Sequence, residues 1–284
     1  MRRAGSHWPE YAMEGALLGL FMVAACSFAA VLEHPASPLR RAMPDATLRR
    51  VVMGLAMGAT AVTLVRSPWG QRSGAHMNPS LTLAYLRLGT VARGDVLGYV
   101  ASQFAGGVVG VLLVRLVLGS LAAHPSVQFA ATAPGPAGIA AAFGAELLIS
   151  ALLMAVVLVV SNTRRWAHCT PWCCGALVAA YIVVEAPLSG MSMNPARSLA
   201  SALGAWHGPA LWIYFTAPPL GMLAAAEAYV RIGGVGRVLC AKLDHTTTRP
   251  CIFRCRWARP QRVQPPRHRS GSLIDSRRTP CIES

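Results

Sequence analysis

Charge is what this chain of 284 residues has least of: Asp, Glu, Lys and Arg together make up 13% of it, where soluble domains carry about 25%. So large a deficit excludes an ordinary soluble globule, and hydrophobic residues at 54%, with a mean hydropathy of +0.45, fill the gap. Acidic residues are scarcer than basic ones, 11 against 26, and Lys occurs once. No Ser/His/Asp or Cys/His set with catalytic logic is visible, and no Gly-rich loop is placed to cradle a phosphate, so neither an enzyme nor a cofactor is expected. The eight cysteines do not make a disulfide framework, because the chain is long and has its own apolar mass.

The basic excess is uneven. Residues 231–284 hold 12 Lys and Arg against 3 Asp and Glu, which is +9 of the formal +15. Such a balance often points to nucleic acid, but here it is a tail on an apolar body, with Phe253 and Trp257 as its sparse aromatics. Membrane lipid is the better partner, and no nucleic acid is expected. Clusters of Pro, Arg and Ser without apolar periodicity predict a disordered cytoplasmic tail over 233–284. Cys240, His245, Cys251 and Cys255 are of metal-ligating type, but their spacing matches no strong zinc pattern, and no metal is expected.

What the sequence does have is long apolar runs. Six stand at about 12–32, 48–66, 96–122, 137–160, 172–188 and 209–230, each approaching the roughly 20 residues that cross a hydrocarbon core. In lipid each must be a helix, since its backbone groups find no water. The first run is too long for a signal-peptide core and has Arg on both sides, so it reads as a retained span. The loop at 123–136 has no Lys or Arg and belongs outside. Segments 66–95 (Arg66, Arg72, Arg87, Arg93) and 161–171 (Arg164, Arg165), the N-terminus (Arg2, Arg3) and the tail belong inside. Arg40, Arg41, Arg49 and Arg50 in the first loop contradict this and are outvoted. The expectation is a multi-pass cell-membrane protein with both termini cytoplasmic.

A repeat organises the spans. Residues 73–84, SGAHMNPSLTLA, and 189–200, SGMSMNPARSLA, agree at seven of twelve positions. Each copy follows two runs and precedes a third, so the halves, about 8–122 and 137–232, form an inverted repeat about an axis in the membrane plane. Each copy also encodes a helix start. Asn78 and Asn194 are good N-caps, Pro79 and Pro195 suit the first helical position, and Gly89 and Gly204 offer stops. About ten residues rise roughly 15 Å, half a bilayer. Two such pieces entering from opposite faces meet tip to tip. Their N-termini each carry about half a positive charge, and the Asn amides offer donors. Water oxygen accepts such bonds, while cations and the excess proton are repelled.

Arg197 breaks the symmetry, standing where the first copy has Leu81. A cation near a helix N-terminus opposes the dipole, and a local rule broken in this way marks function. Glu14 and Glu146 lie near the starts of spans in the two halves. Intramembrane carboxylates are costly and need partners, and the free N–H groups of the two re-entrant loops supply them, so bracing is the expected role.

On these residues the chain resembles the major intrinsic protein family, the aquaporins and glycerol facilitators, over about residues 8–232. The resemblance implies an all-α membrane protein of six transmembrane helices plus two re-entrant half-helices, assembled as a homotetramer with one pore per subunit. Its pore constriction falls on Asn78, Pro79, Ser80, Asn194, Pro195 and Ala196. Its selectivity filter falls on Met57 (or its neighbour Gly58), Ile182, Met191 and Arg197, with His76 in the inner vestibule. Gln103 and Pro218 match the family's helix contacts. Ser80 departs from the usual Ala, and Ile182 stands where water-strict members have His. Ser198 follows Arg197 as in water channels, where glycerol facilitators have Asp. The implied activity is passive water flow, with glycerol, ammonia or peroxide as alternative neutral solutes. A coupled secondary transporter, the reading from another class, needs ionisable groups at mid-depth, and only the symmetric Glu14 and Glu146 qualify. His207 is expected at the surface, and Glu185 at headgroup level or paired with Arg197.

Overall fold

Backbone groups surrounded by apolar side chains must bond within their own segment, and the chain meets this demand with helices. The computed structural model describes residues 7–206, 208, 210–245 and 251–257, and no strand occurs among them. Six long helices are α1 (Trp8–Glu33), α2 (Ala46–Arg66), α4 (Arg93–Leu118), α5 (Gly138–Ser161), α6 (Thr170–Val184) and α8 (Trp212–Gly233). Two short ones, α3 (Pro79–Arg87) and α7 (Pro195–Ala205), start within the two repeat copies. Counting a lead-in turn at 167–169 with α6, five of the long helices have the length and apolarity to cross a membrane. In α8, Pro218, Pro219 and Glu227 dilute the hydropathy, but its 22 residues still rise about 33 Å.

The pairing follows the repeat. In the first half α1 packs along α4, in the second α5 packs along α8, and α2 crosses α6 between the halves. Each half-helix docks on the last helix of the other half, α3 on α8 and α7 on α4. Small residues set these distances, since lipid gives helices no hydrophobic reason to associate and close packing must do so instead. A Cβ placed on Gly106 would lie 1.9 Å from the Gly15 carbonyl oxygen, and one on Gly110 2.4 Å from that of Gly19. The outward surfaces stay apolar, with Leu97, Leu116 and Ile232 each more than three-quarters exposed. Exposed Trp8, Trp206 and Trp212 stand near helix ends, where amphipathic rings suit a membrane interface.

Two faces result. Connecting residues 67–78, 87–92, 161–169, 234–245 and 251–257 share one, the tail face; the 34–45 and 119–137 connections share the other. On that other face His34 and His124 meet edge to face at 4.7 Å, and Ser126 Oγ donates to Glu33 O at 2.8 Å. The arginines that spoil the charge pattern are spent locally. Arg40 donates to the Glu33 carbonyl and Arg41 to that of Ala36. Arg49 reaches the Glu33 carboxylate at 3.0 Å and the carbonyls of Met43 and Pro44 at 2.8 and 2.7 Å. Orphan carbonyls after a helix are a natural place for cations.

Within the basic tail, residues of the described stretches 234–245 and 251–257 pack into the core, where the sequence predicts disorder. Val238, Cys240, Ala241, Leu243 and Phe253 are buried and belong to the same apolar cluster as Val65, Tyr85 and Tyr99. The segment is irregular, so its apolar residues show no period, and only its contacts reveal that it is folded. Residues 258–284 lie outside the described residues.

Gly106→Leu is expected to drive α1 and α4 apart, at a cost at or above the roughly 1–3 kcal/mol of ordinary overpacking. The measurement is thermal unfolding in detergent, set against Gly94→Leu, where a side chain would meet nothing within 4 Å.

Candidate functional site

Both repeat copies bend through the same strained backbone. Gly74, Ala75 and Met77 have φ of 103, 56 and 48°, and Gly190, Met191 and Met193 have 80, 53 and 56°. Only Gly adopts this region freely, and other residues pay of order 1–2 kcal/mol each. Strain of this kind persists only where its surroundings over-determine it, and here a buried carboxylate does so in each half. Glu14 accepts from Ser73 Oγ (2.7 Å), His76 N (3.0 Å), Met77 N (2.6 Å) and Gln103 Nε2 (3.0 Å). Glu146 accepts from Ser189 Oγ, Ser192 N and Met193 N, all at 2.7 Å. Two tyrosines repeat the theme: Tyr99 OH donates to Ser73 O and Tyr214 OH to Ser189 O, both at 2.5 Å. Sequence reasoning passed over this pair, although the two residues lie at almost the repeat's own offset.

The half-helices start where the Asn-Pro pairs predict. Asn78 Oδ1 accepts from Ser80 N at 2.9 Å, and Asn194 Oδ1 from Ala196 N and Arg197 N at 3.0 and 3.3 Å. Pro79 and Pro195 open the helices and are buried. At the other end α3 stops before Gly89, at φ 72°, but α7 runs through Gly204 and ends on left-handed Trp206. Gly204 serves packing instead, since a Cβ there would lie 2.5 Å from Val111 Cγ1.

The tips touch through a reciprocal pair of bonds. Asn78 Nδ2 donates to Met193 O and Asn194 Nδ2 to Met77 O, each at 2.7 Å. One amide hydrogen of each Asn is thus spent on the opposite loop. One hydrogen on each amide nitrogen remains beyond that bond.

Both Asn side chains line a cavity of about 330 Å³. Met57, Ile182, Met191 and Arg197 line it too, together with Glu33 and Ser126 of one face and His76 and Leu243 of the other. Gly58 does not: a Cβ on it would lie 2.5 Å from Gly175 O, at the crossing of α2 and α6. The guanidinium of Arg197 keeps Nη1 without a hydrogen-bond partner among the described residues. Ser198 is tied into the protein by Thr132 Oγ1 (2.8 Å) and Ser192 Oγ (2.6 Å). Ser80 and Ala196 are fully buried beneath the tips.

His76 Nε2 lies 2.8 Å from Ala241 O and Nδ1 3.1 Å from Thr82 Oγ1, with Tyr85 and Phe253 stacked at 5.1 and 5.4 Å. Glu185 is buried at the end of α6, bonds the Ser189 hydroxyl, and makes no salt bridge with Arg197. His207 lies outside the described residues. One set that spacing argued against does assemble: Cys240, His245, Cys251 and Cys255 each place a ligand atom within 4.8 Å of the others. No regular element among the described residues carries them, so no helical or strand spacing announces them.

A family model described as "MIP: Major intrinsic protein" matches residues 9–229. Similar curated proteins include "Aquaporin NIP3-1" of Oryza sativa subsp. japonica, 36% identical over 179 residues, covering 62% of this chain and 56% of that one. "Aquaporin NIP3-1" of Zea mays is 38% identical over 176 residues (61% and 57%). The chain spans a little over half the length of these relatives. Among solved structures, the X-ray structure of the aquaglyceroporin from Plasmodium falciparum shares the fold, with a TM-score of 0.63 and 20% identity over 80% of this chain and 97% of that one.

Glu146→Gln is expected to lower stability by about 2 kcal/mol, because it turns an amide donor toward groups that are themselves donors. A thermal melt in detergent tests this. An unchanged melting temperature would show that the carboxylate does not hold the loop.

Proposed function

Given that the chain belongs to the major intrinsic protein family, we propose that it is a passive channel of a cell membrane, not an enzyme, and that water crosses it down an osmotic gradient. The observation that carries the reading is the reciprocal pair of bonds, Asn78 to Met193 O and Asn194 to Met77 O, on the wall of a cavity with lining residues from both faces. At that point two helix N-termini and two amide hydrogens favour a solute oxygen. Leu153, Val157 and Val178 on the wall offer nothing in return. A water molecule held through its oxygen satisfies the site, while a cation meets positive potential with no acceptor to replace its hydration.

Arg197 adds a fixed positive charge with spare donors, and Met57, Ile182 and Met191 complete a filter that is otherwise apolar. This filter supports a second reading within the same activity. With Ile182 in place of a hydrogen-bonding side chain, and with flexible Met side chains that can move aside, small neutral solutes such as glycerol, ammonia or peroxide fit as well. Ion-coupled transport fits poorly. Glu14 is occupied by four donors and Glu146 by three, which suits bracing over proton or ion exchange. Arg72, Arg87, Arg164 and Arg165 lie on the tail face, which supports a cytoplasmic placing of that face and both termini, while Arg40 and Arg41 of the other face are bonded to carbonyls beside them. The unpartnered apolar flanks are compatible with a homotetramer in lipid.

Stopped-flow swelling of proteoliposomes, with water and glycerol compared on the same vesicles, tests the reading. Fast flux with weak temperature dependence, indifferent to proton and sodium gradients, is expected. Arg197→Ala should relax exclusion of protons and larger solutes more than it lowers water flux; unchanged exclusion would remove Arg197 from the filter. Ile182→His should shift the balance toward water, with the glycerol-to-water ratio falling about tenfold, equivalent to about 1.4 kcal/mol of differential barrier.

A further inference from the structure

The segment after α8 turns back across one mouth of the cavity. Leu239 N donates to Asn162 Oδ1 (2.6 Å), Leu243 N to Gly74 O (3.2 Å) and Arg254 N to Thr90 O (2.9 Å). Three loops of the tail face are thereby bridged. Ala241 O meets His76 Nε2, Phe253 stacks on the same imidazole, and Leu243 lines the cavity itself. An irregular stretch of this kind has no hydrogen-bond ladder to offset the entropy of ordering it, so something else must hold its turns together.

The four clustered side chains stand where they can do that. Cys240 Sγ and Cys251 Sγ are 3.5 Å apart, His245 Nε2 and Cys255 Sγ 3.2 Å, and all four ligand atoms fall within 4.8 Å of one another. A tetrahedral ion with bonds of about 2.3 Å to sulfur and 2.0–2.1 Å to nitrogen separates its donors by about 3.5–3.8 Å. The residues that touch the mouth lie beside the ligands in sequence. Ala241 follows Cys240, Leu243 is two residues before His245, and Phe253 stands midway between Cys251 and Cys255. Support lies outside the ligand set too. The His245 ring stacks on Trp257 at 5.4 Å, and Arg164 covers that indole at 5.4 Å while donating to its carbonyl at 3.2 Å. Outer contacts of this kind fix the orientation of a ligating imidazole.

We propose that Cys240, His245, Cys251 and Cys255 form a Cys₃His site for a zinc-like thiophilic divalent ion, and that the bound ion locks the C-terminal segment across the pore mouth. Three thiolates and an imidazole select such an ion over hard cations. Each thiol gives up its proton on binding, and the imidazole binds neutral. The resulting centre has a net charge of minus one, set in a segment that carries Lys242, Arg254 and Arg256. The ion site stands on its own geometry; the locking of flux rests on the channel reading above.

The untagged full chain, purified under reducing conditions, is to be assayed for zinc by elemental analysis and for cobalt(II) binding by its thiolate charge-transfer absorption. One equivalent per chain is expected, lost in the Cys251→Ser/Cys255→Ser double variant. Substoichiometric zinc, zinc retained in the double variant, or a metal-free Cys240–Cys251 disulfide detected by alkylation mass overturns the site. In proteoliposomes, zinc-stripped chain is expected to swell several-fold faster than zinc-loaded chain. Leu243→Ala should raise flux with its zinc content unchanged. Equal flux in loaded and stripped vesicles overturns the lock. Vesicles that stay impermeable in every form, Leu243→Ala included, count against the channel reading, and the zinc stoichiometry still decides the site.

Discussion

A carboxylate buried in the apolar layer and bonded by two backbone N–H groups together with side-chain donors is the interaction on which the rest of this molecule depends. Glu14 and Glu146 each hold two consecutive amides of a loop whose alternate residues sit in the left-handed region. Without those acceptors the loop would present orphan donors to hydrocarbon and relax to an ordinary helix or leave the membrane. With them, the chain can reverse at mid-depth, start a helix on an Asn cap, and aim that helix outward again. The tyrosine bonds to Ser73 O and Ser189 O secure the opposite side of each turn.

A scaffold built twice from one pattern is nearly symmetric, and the asymmetries are therefore where chemistry can reside. Leu81 and Arg197 occupy the same place in their copies and both line the cavity, yet one offers only an apolar side chain and the other a guanidinium nitrogen with no partner among the described residues. Gln103 reaches Glu14 from α4. No equivalent fourth donor reaches Glu146, beside which Glu185 lies bound to the shared Ser189 hydroxyl.

Much of this was legible in the sequence, and for a physical reason. Apolar runs, Asn-Pro helix starts and lone intramembrane carboxylates are local signals, because each answers a constraint acting on its own segment. Two copies made those signals mutually supporting. Harder to read was whatever depends on a distant partner. Met57 could be separated from Gly58 only once α6 was seen to occupy the glycine's side. Gly204 looked like a stop but gives room to Val111. Arg40, Arg41 and Arg49 of the first loop looked like topogenic charges but bond carbonyls in or beside their own connection. The C-terminal segment has neither period nor familiar ligand spacing, so its fold becomes visible only through the loops it touches.

The exchange of hydrogen bonds between the two tips bears on how the protein is made. Asn78 is bonded to Met193, and α3 rests on α8, the last long helix to be synthesised. At roughly 5–20 residues per second, the first re-entrant loop leaves the ribosome many seconds before its partner exists. Until then its N-terminal tip has no protein against which to lie at mid-depth. The early half must therefore be sheltered by the insertion machinery, or held shallow in the bilayer, and the two halves reach their final depth as a single late event of biogenesis.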